Sequence, residues 1–145
     1  METKEDLNKY YVLDSSVVIK WFSNEDYTET ALELRDKFVE GDIEIVVPDL
    51  QIYEIANALR YNKQIKKLEV ENAVKSLIEI GIKIISPKSE VMKTAIDMAY
   101  DYDLTIYDSY FIALAKDLNF MFVTADEKLY KKIKNLRFVK LLKDL

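Results

Sequence analysis

At 145 residues, half of them hydrophobic, and with a net charge of −5, the chain is long enough for one compact domain with a substantial core. It contains neither His nor Cys, which excludes imidazole bases, thiolate nucleophiles, the usual nitrogen- and sulfur-ligated zinc sites, and haem or cluster ligation by those residues. No segment approaches the roughly 18–20 uninterrupted apolar residues that span a bilayer, and the charged N-terminus lacks the apolar stretch of a secretory signal. A cytoplasmic protein without membrane contact is therefore expected.

In chain order, residues 1–9 read as a short N-terminal extension with room for flexibility. Tyr10–Leu13 is an apolar run suited to a buried strand, followed by helical patterns near Val17–Phe22 and over Thr28–Glu40. Gly41 can end the second of these in a left-handed conformation. A second strand is predicted at Ile43–Val47, after which Pro48 and Asp49 offer a start and cap for a helix over Leu50–Lys63. The helix Glu69–Ile80 stops at Gly81 and leads into a strand at Ile82–Ile85. Ser86 and Pro87 then open a helix over Ser89–Tyr102, with Pro87 in a favoured first-turn position. The remainder reads as helix Ile106–Asp117, strand Phe120–Thr124, helix Glu127–Lys134 and strand Phe138–Leu141. Strands alternating with helices imply right-handed crossovers and a mostly parallel sheet covered on both faces. With two Gly, two Pro and no internal repeat, the sequence offers no flexible linker, and a single domain over residues 1–145 is expected.

Four carboxylates stand at the mouths of strongly apolar segments: Asp14, Glu54, Asp108 and Asp126. In open α/β sheets ligands bind beyond the carboxyl ends of the strands. Asp14 immediately follows the first strand and Asp126 lies two residues past the fourth, so both face one rim if those strands are neighbours. Glu54 and Asp108 fall early in their helices, near the same edge, where positive helix ends tolerate negative charge. At about 100° per residue, Ile52, Ala56 and Leu59 cluster opposite Glu54, whereas Asn57, Ala58 and Tyr61 lie beside it. Glu54 therefore faces water or a cleft.

Each acid also has a purely structural use. Asp14 and Asp126 suit helix N-caps, Asp108 can close a capping box with Thr105, and Glu54 can be an ordinary surface residue. Those uses do not explain why acids recur at several mouths of one sheet edge. Clustered carboxylates repel one another and resist ionisation, whereas a divalent cation stabilises the ionised set. Oxygen-only donors favour magnesium or manganese, which can activate water and offset charge on a phosphoryl group. Basic residues flank the acids: Arg60, Lys63, Lys66 and Lys67 after Glu54, and seven Lys or Arg against three acids from Asp126 onward. They can hold phosphates or simply form solvated helix faces.

The segments Val-Leu-Asp14-Ser-Ser16-Val-Val-Ile-Lys-Trp-Phe, Pro48-Asp-Leu-Gln-Ile-Tyr-Glu54-Ile-Ala-Asn57-Ala-Leu, Tyr107-Asp108-Ser-Tyr-Phe-Ile-Ala-Leu-Ala and Val-Thr124-Ala-Asp126-Glu-Lys-Leu resemble the PIN-domain ribonucleases, especially VapC-type toxins of toxin–antitoxin pairs. The likeness runs from about Tyr10 to the C-terminus with the motifs in order. It implies a three-layer α/β/α domain with a five-stranded parallel sheet in order 3-2-1-4-5, which sets the first and fourth strands side by side. It further implies an endoribonuclease hydrolysing RNA phosphodiesters with metal-activated water, leaving 5′-phosphate and 3′-hydroxyl ends. Asp14, Glu54, Asp108 and Asp126 would form the catalytic set. Asp14, Asp108 and Asp126 would be direct or water-mediated ligands of Mg²⁺ or Mn²⁺. Ser16 and Thr124 would hydrogen-bond the carboxylates or substrate, and Asn57 would support the site or brace its helix. The implied partners are RNA, a small antitoxin lying across the acidic groove, and a second copy in a homodimer.

Two other families that use an aspartate after the first strand of a similar sheet fit less well. A haloacid-dehalogenase-like enzyme needs a second Asp where Ser16 stands, and a receiver domain needs an acid where Ile85-Ser86 ends the third strand. A housekeeping RNA-processing nuclease of the same family stays open, whereas the complete acid set argues against a non-catalytic RNA- or protein-binding module on the same scaffold.

Overall fold

The computed structural model describes residues 9–145. The N-terminal extension expected for residues 1–9 lies outside the described residues apart from Lys9. Five strands form one sheet: β1 (Tyr10–Leu13), β2 (Glu44–Pro48), β3 (Lys83–Ile85), β4 (Met121–Thr124) and β5 (Val139–Leu141). Their order is β3-β2-β1-β4-β5, and every neighbouring pair is parallel. The strand order implied by the family resemblance is thus borne out. Tyr11, Val12 and Leu13 pair with Met121, Phe122 and Val123, so β1 and β4 end level and their following loops share one rim.

Seven helices cover the two faces: α1 (Ser15–Val18), α2 (Thr28–Val39), α3 (Leu50–Arg60), α4 (Lys67–Glu79), α5 (Ser89–Tyr102), α6 (Ile106–Leu118) and α7 (Glu127–Ile133). The period-2 alternation of the strands divides the core between these layers. Tyr11, Leu13, Ile45, Val47, Met121 and Val123 point into one cluster with Val17, Trp21, Leu34, Ile55 and Leu77. Val12, Val46 and Phe122 point the other way, into a cluster with Ala95, Phe111, Leu114 and Ile133. In α6, every residue from Ser109 to Ala115 is buried, as expected of a helix that is apolar on nearly all sides. Among the described residues no helix is long and apolar enough to cross a membrane.

Three local expectations are corrected. The helix placed at Val17–Phe22 starts earlier, at Ser15, because Asp14 caps it, and after Val18 it tightens into a 3-10 turn over Ile19–Trp21. Pro87 does not occupy the first turn of α5; Lys88 takes the N-cap position in extended backbone, leaving Pro87 outside the helix. Asp49 precedes α3 without any side-chain capping bond, and α3 ends at Arg60 rather than Lys63. The helix-ending glycines behave as expected, with φ of 85° at Gly41 and 99° at Gly81, a conformation that is costly for any residue with a Cβ.

Candidate active site

Asp14 sits at the seam between β1 and β4. Its backbone N–H still pairs with the Val123 carbonyl at 2.9 Å, so the residue is fixed by the sheet before its side chain makes any contact. The carboxylate is buried, only 7% exposed, and both oxygens are engaged. The Ser15 backbone N–H donates to Oδ1 at 3.0 Å. Two hydroxyls donate to Oδ2: Ser16 Oγ at 2.7 Å and Thr124 Oγ1 at 2.8 Å. Each hydroxyl in turn accepts a backbone N–H from the loop after β4, Ala125 to Ser16 at 2.9 Å and Asp126 to Thr124 at 3.0 Å. Accepting those N–H groups leaves each hydroxyl proton free to point at Asp14. Ser16 and Thr124 thus both stand against the Asp14 carboxylate.

Burial pushes the Asp14 carboxyl up to about 6, against the lowering effect of the Ser16 and Thr124 hydrogen bonds; Asp108 and Glu54 raise it further. Desolvation, which disfavours the ionised form, wins here over hydrogen bonds that favour it. Glu54 is half-buried on α3, and Ser15 Oγ donates to its Oε1 at 2.8 Å. Its carboxyl is raised by burial first and Asp108 second, with the Ser15 bond opposing. Asp108, in the first turn of α6, is raised by burial and then by Asp126, and lowered by Thr105 and Lys132. Repulsion from neighbouring acids thus acts at three of these carboxylates: Glu54 and Asp108 act on Asp14, Asp108 acts on Glu54, and Asp126 acts on Asp108. Asp126 itself is exposed.

The structural uses of these acids are realised at the same time. Asp126 Oδ1 accepts from the Leu129 N–H at 3.0 Å and caps α7. The Asp108 N–H donates to Thr105 Oγ1 at 3.0 Å in the start of α6. Capping and clustering are therefore compatible roles, not rival ones. Asn57 is different: it is exposed on α3, about one turn beyond Glu54. Of the C-terminal basic run, Lys132 pairs with Asp103 and Lys143 with Glu127.

Two contributors escaped the sequence reading. Ser15 is the residue that ties Glu54 to the Asp14 loop, although it stands in the quoted motif between Asp14 and Ser16. Gln51 is fully buried, and its Nε2 donates to the Leu13 carbonyl at 2.7 Å, pinning the end of β1 to α3. Its Oε1 has no hydrogen-bond partner. The available signal was a lone amide on the buried Gln51, Ile55, Leu59 face of α3.

The donor chemistry suits a hard divalent cation: all side-chain donors are oxygens, and three of the four acids are held above their ordinary range by burial and by each other. Among the described residues no three acids converge closely enough to grip an ion by themselves. Magnesium tolerates that, because it retains several waters and commonly takes one or two carboxylates directly. The residues present fit such an open, water-rich arrangement better than a closed protein cage.

This fold and acid set place the chain in a known class. Residues 11–135 match the PIN domain family, and the chain belongs to it. Within that family it is similar to the curated Ribonuclease VapC3 of Pyrobaculum aerophilum, with 29% identity over 126 residues, 83% of this chain and 92% of that protein. In fold it is similar to a toxin–antitoxin complex from Klebsiella pneumoniae, at a TM-score of 0.70 and 15% identity over 91% of this chain and 97% of that one. It is also similar to the Mycobacterium tuberculosis sarcin–ricin loop cleaving toxin VapC20, at a TM-score of 0.65 and 10% identity over 83% of this chain and 93% of that one.

Proposed function

We propose that this chain is a divalent-metal-dependent endoribonuclease acting as one PIN-like unit, the toxin of a VapBC-like pair, inhibited by a small antitoxin and assembled as a homodimer in the cytoplasm. The reading rests chiefly on a single observation. Asp14 is buried, holds two hydroxyl donors, and is repelled by Glu54 and Asp108, and among the described residues the one cation acting on these acids is Lys132, through Asp108. Such a cluster is poised for an external positive charge. The similarity to a ribonuclease over most of both chains supports RNA as substrate, and the toxin–antitoxin neighbour supports a protein inhibitor.

In this reading Asp14, Asp108 and Asp126 hold Mg²⁺ or Mn²⁺, directly or through water. A bound ion of this kind acidifies water and offsets charge on phosphoryl oxygens. Ser16 and Thr124 keep Asp14 ionised and fix its orientation. Glu54, with its raised proton affinity, accepts a proton from the attacking water, and Ser15 holds the Glu54 carboxylate toward the Asp14 loop.

The test is incubation of purified protein with a panel of RNAs, with manganese or with chelator, beside Asp14→Asn and Asp126→Asn proteins. Metal-dependent cleavage lost in both variants is expected. Cleavage that survives chelator removes the metal mechanism, and an unaltered effect of Asp14→Asn protein on RNA or growth removes catalysis altogether.

A further inference from the structure

Beyond the carboxyl ends of β2 and β3, beside the acids, lies a cavity of about 240 Å³. Its wall surface is mostly apolar, and its lining includes Pro48, Asp49, Leu50, Tyr53, Tyr107 and Tyr110. It is smaller than the roughly 300–1,000 Å³ pockets that take drug-sized ligands, and so suits one planar group. Tyr110 is 4% exposed, and its hydroxyl accepts from the Lys88 N–H at 3.0 Å, which anchors that ring. Tyr53 and Tyr107, by contrast, are 71% and 62% exposed. Large aromatic surface left in water at a concave site is the feature that calls for an occupant.

The position of the two exposed tyrosines selects that occupant. Tyr53 immediately precedes Glu54, and Tyr107 immediately precedes Asp108. One residue along each helix separates a cavity-lining ring from an acid, so a polymer with a phosphodiester at the acids has this wall within reach of its next unit. The exposed side of α3 continues from Tyr53 through Asn57 to Arg60, whose guanidinium lies 5.2 Å from the Tyr61 ring centre. Aromatic faces followed by a cation on one helix face complement a base followed by a phosphate.

We propose that this cavity is a stacking site for one unpaired nucleobase adjoining the scissile phosphate, with Tyr53 and Tyr107 as its contacting rings. The proposal rests on the ribonuclease reading and deepens it. The site demands a single-stranded nucleotide at that position. Because most of its lining surface is apolar, with Asp49 the one charged group among the lining residues, it reads base identity weakly and chiefly by stacking strength.

The experiment takes an RNA oligonucleotide that the wild-type protein cleaves and replaces each nucleotide flanking the cut with an abasic one in turn. One flanking position is expected to slow wild-type cleavage on the order of 10- to 100-fold. The same abasic substrate should be cut no more slowly than the parent by the Tyr53→Ala, Tyr107→Ala double variant, while Tyr53→Phe keeps the wild-type discrimination. Equal cleavage of all abasic substrates by the wild type overturns the proposal. A second arm needs no cleavage: Asp14→Asn protein in chelator is mixed with single-stranded RNA carrying 2-aminopurine at successive positions. A fluorescence change at one position, lost on adding the two Tyr→Ala substitutions, supports the stacking site even if no RNA is ever cut and the nuclease reading has failed. No change at any position overturns the stacking site even if cleavage is intact. Sedimentation of the double variant supplies the rival outcome. Conversion of a dimer to a monomer, without any abasic effect, would assign the cavity to a contact between two copies and overturn the proposal.

Discussion

The strand-borne part of the acidic rim and its helix-borne part hold their carboxylates by different means. At the β1–β4 seam, Asp14 is anchored by a sheet hydrogen bond on its own backbone and by three donors on its side chain. On α3 and α6, Glu54 has one hydroxyl donor and Asp108 is steadied by Thr105 and Lys132, and both are only half-buried. The seam is built before any ligand arrives, whereas the helix-borne acids retain room to adjust. A site of this kind separates positioning, done by the sheet, from adaptation, done by the helices.

That contrast can be broken most forcefully at Asp14. The Asp14→Asn substitution should reduce RNA cleavage by more than the roughly 10–100-fold typical of a supporting residue. It should also make the metal-free protein more stable. Raising the carboxyl from 3.8 to about 6 means that the ionised form opposes folding, at a cost of up to about 3 kcal/mol at neutral pH. The folded state binds the proton first as pH falls. Stability contributed by protonated Asp14 is therefore complete below about pH 4 and lost as pH rises toward about 6. Chemical denaturation of metal-free wild type across that window should show this fall, and Asp14→Asn should flatten it. Added manganese should restore wild-type stability above pH 6 and leave the variant unchanged.

Next in size is Thr124→Val, which removes from a fully buried side chain both a donor to Asp14 and the acceptor of the Asp126 N–H. A stability loss of about 1–3 kcal/mol is expected, with cleavage down roughly 10–100-fold; denaturant titration and single-turnover rates read both. A smaller effect should follow Ser15→Ala on the helix-borne side. It frees Glu54 without exposing a fully buried acid, so cleavage should fall less than for Thr124→Val. If Ser15→Ala proves the more damaging of the two, the ranking of seam over helices is wrong. Smallest of all, Asn57→Ala should change stability by no more than about 0.5 kcal/mol and leave cleavage rates near wild type.

Much of this arrangement was legible in the sequence because strands buried on both faces announce themselves as short β-branched runs. The adjacency of Asp14 and Asp126 followed once the strand order was known, and that order came from the family motifs, not from periodicity. What escaped has a local cause. Periodicity locates apolar faces but says nothing about capping, so the start of α1 at Ser15 and the displaced Pro87 were misplaced. The face opposite Glu54 was read as Ile52, Ala56 and Leu59, whereas the deepest residues are Gln51, Ile55 and Leu59. A polar Gln at the innermost position rotated the inferred stripe by about one residue. Ser15 was passed over because hydroxyl partners depend on side-chain directions that spacing does not specify.

The double duty of Asp14 and Asp126 as helix caps has a practical corollary for anyone preparing inert versions of this protein. An amide at either place preserves the oxygen that receives the helix's first N–H groups, whereas a methyl group leaves those donors unmatched and weakens α1 or α7. Loss of function in an alanine version would thus confound missing charge with a loosened loop, and the asparagine versions are the clean controls.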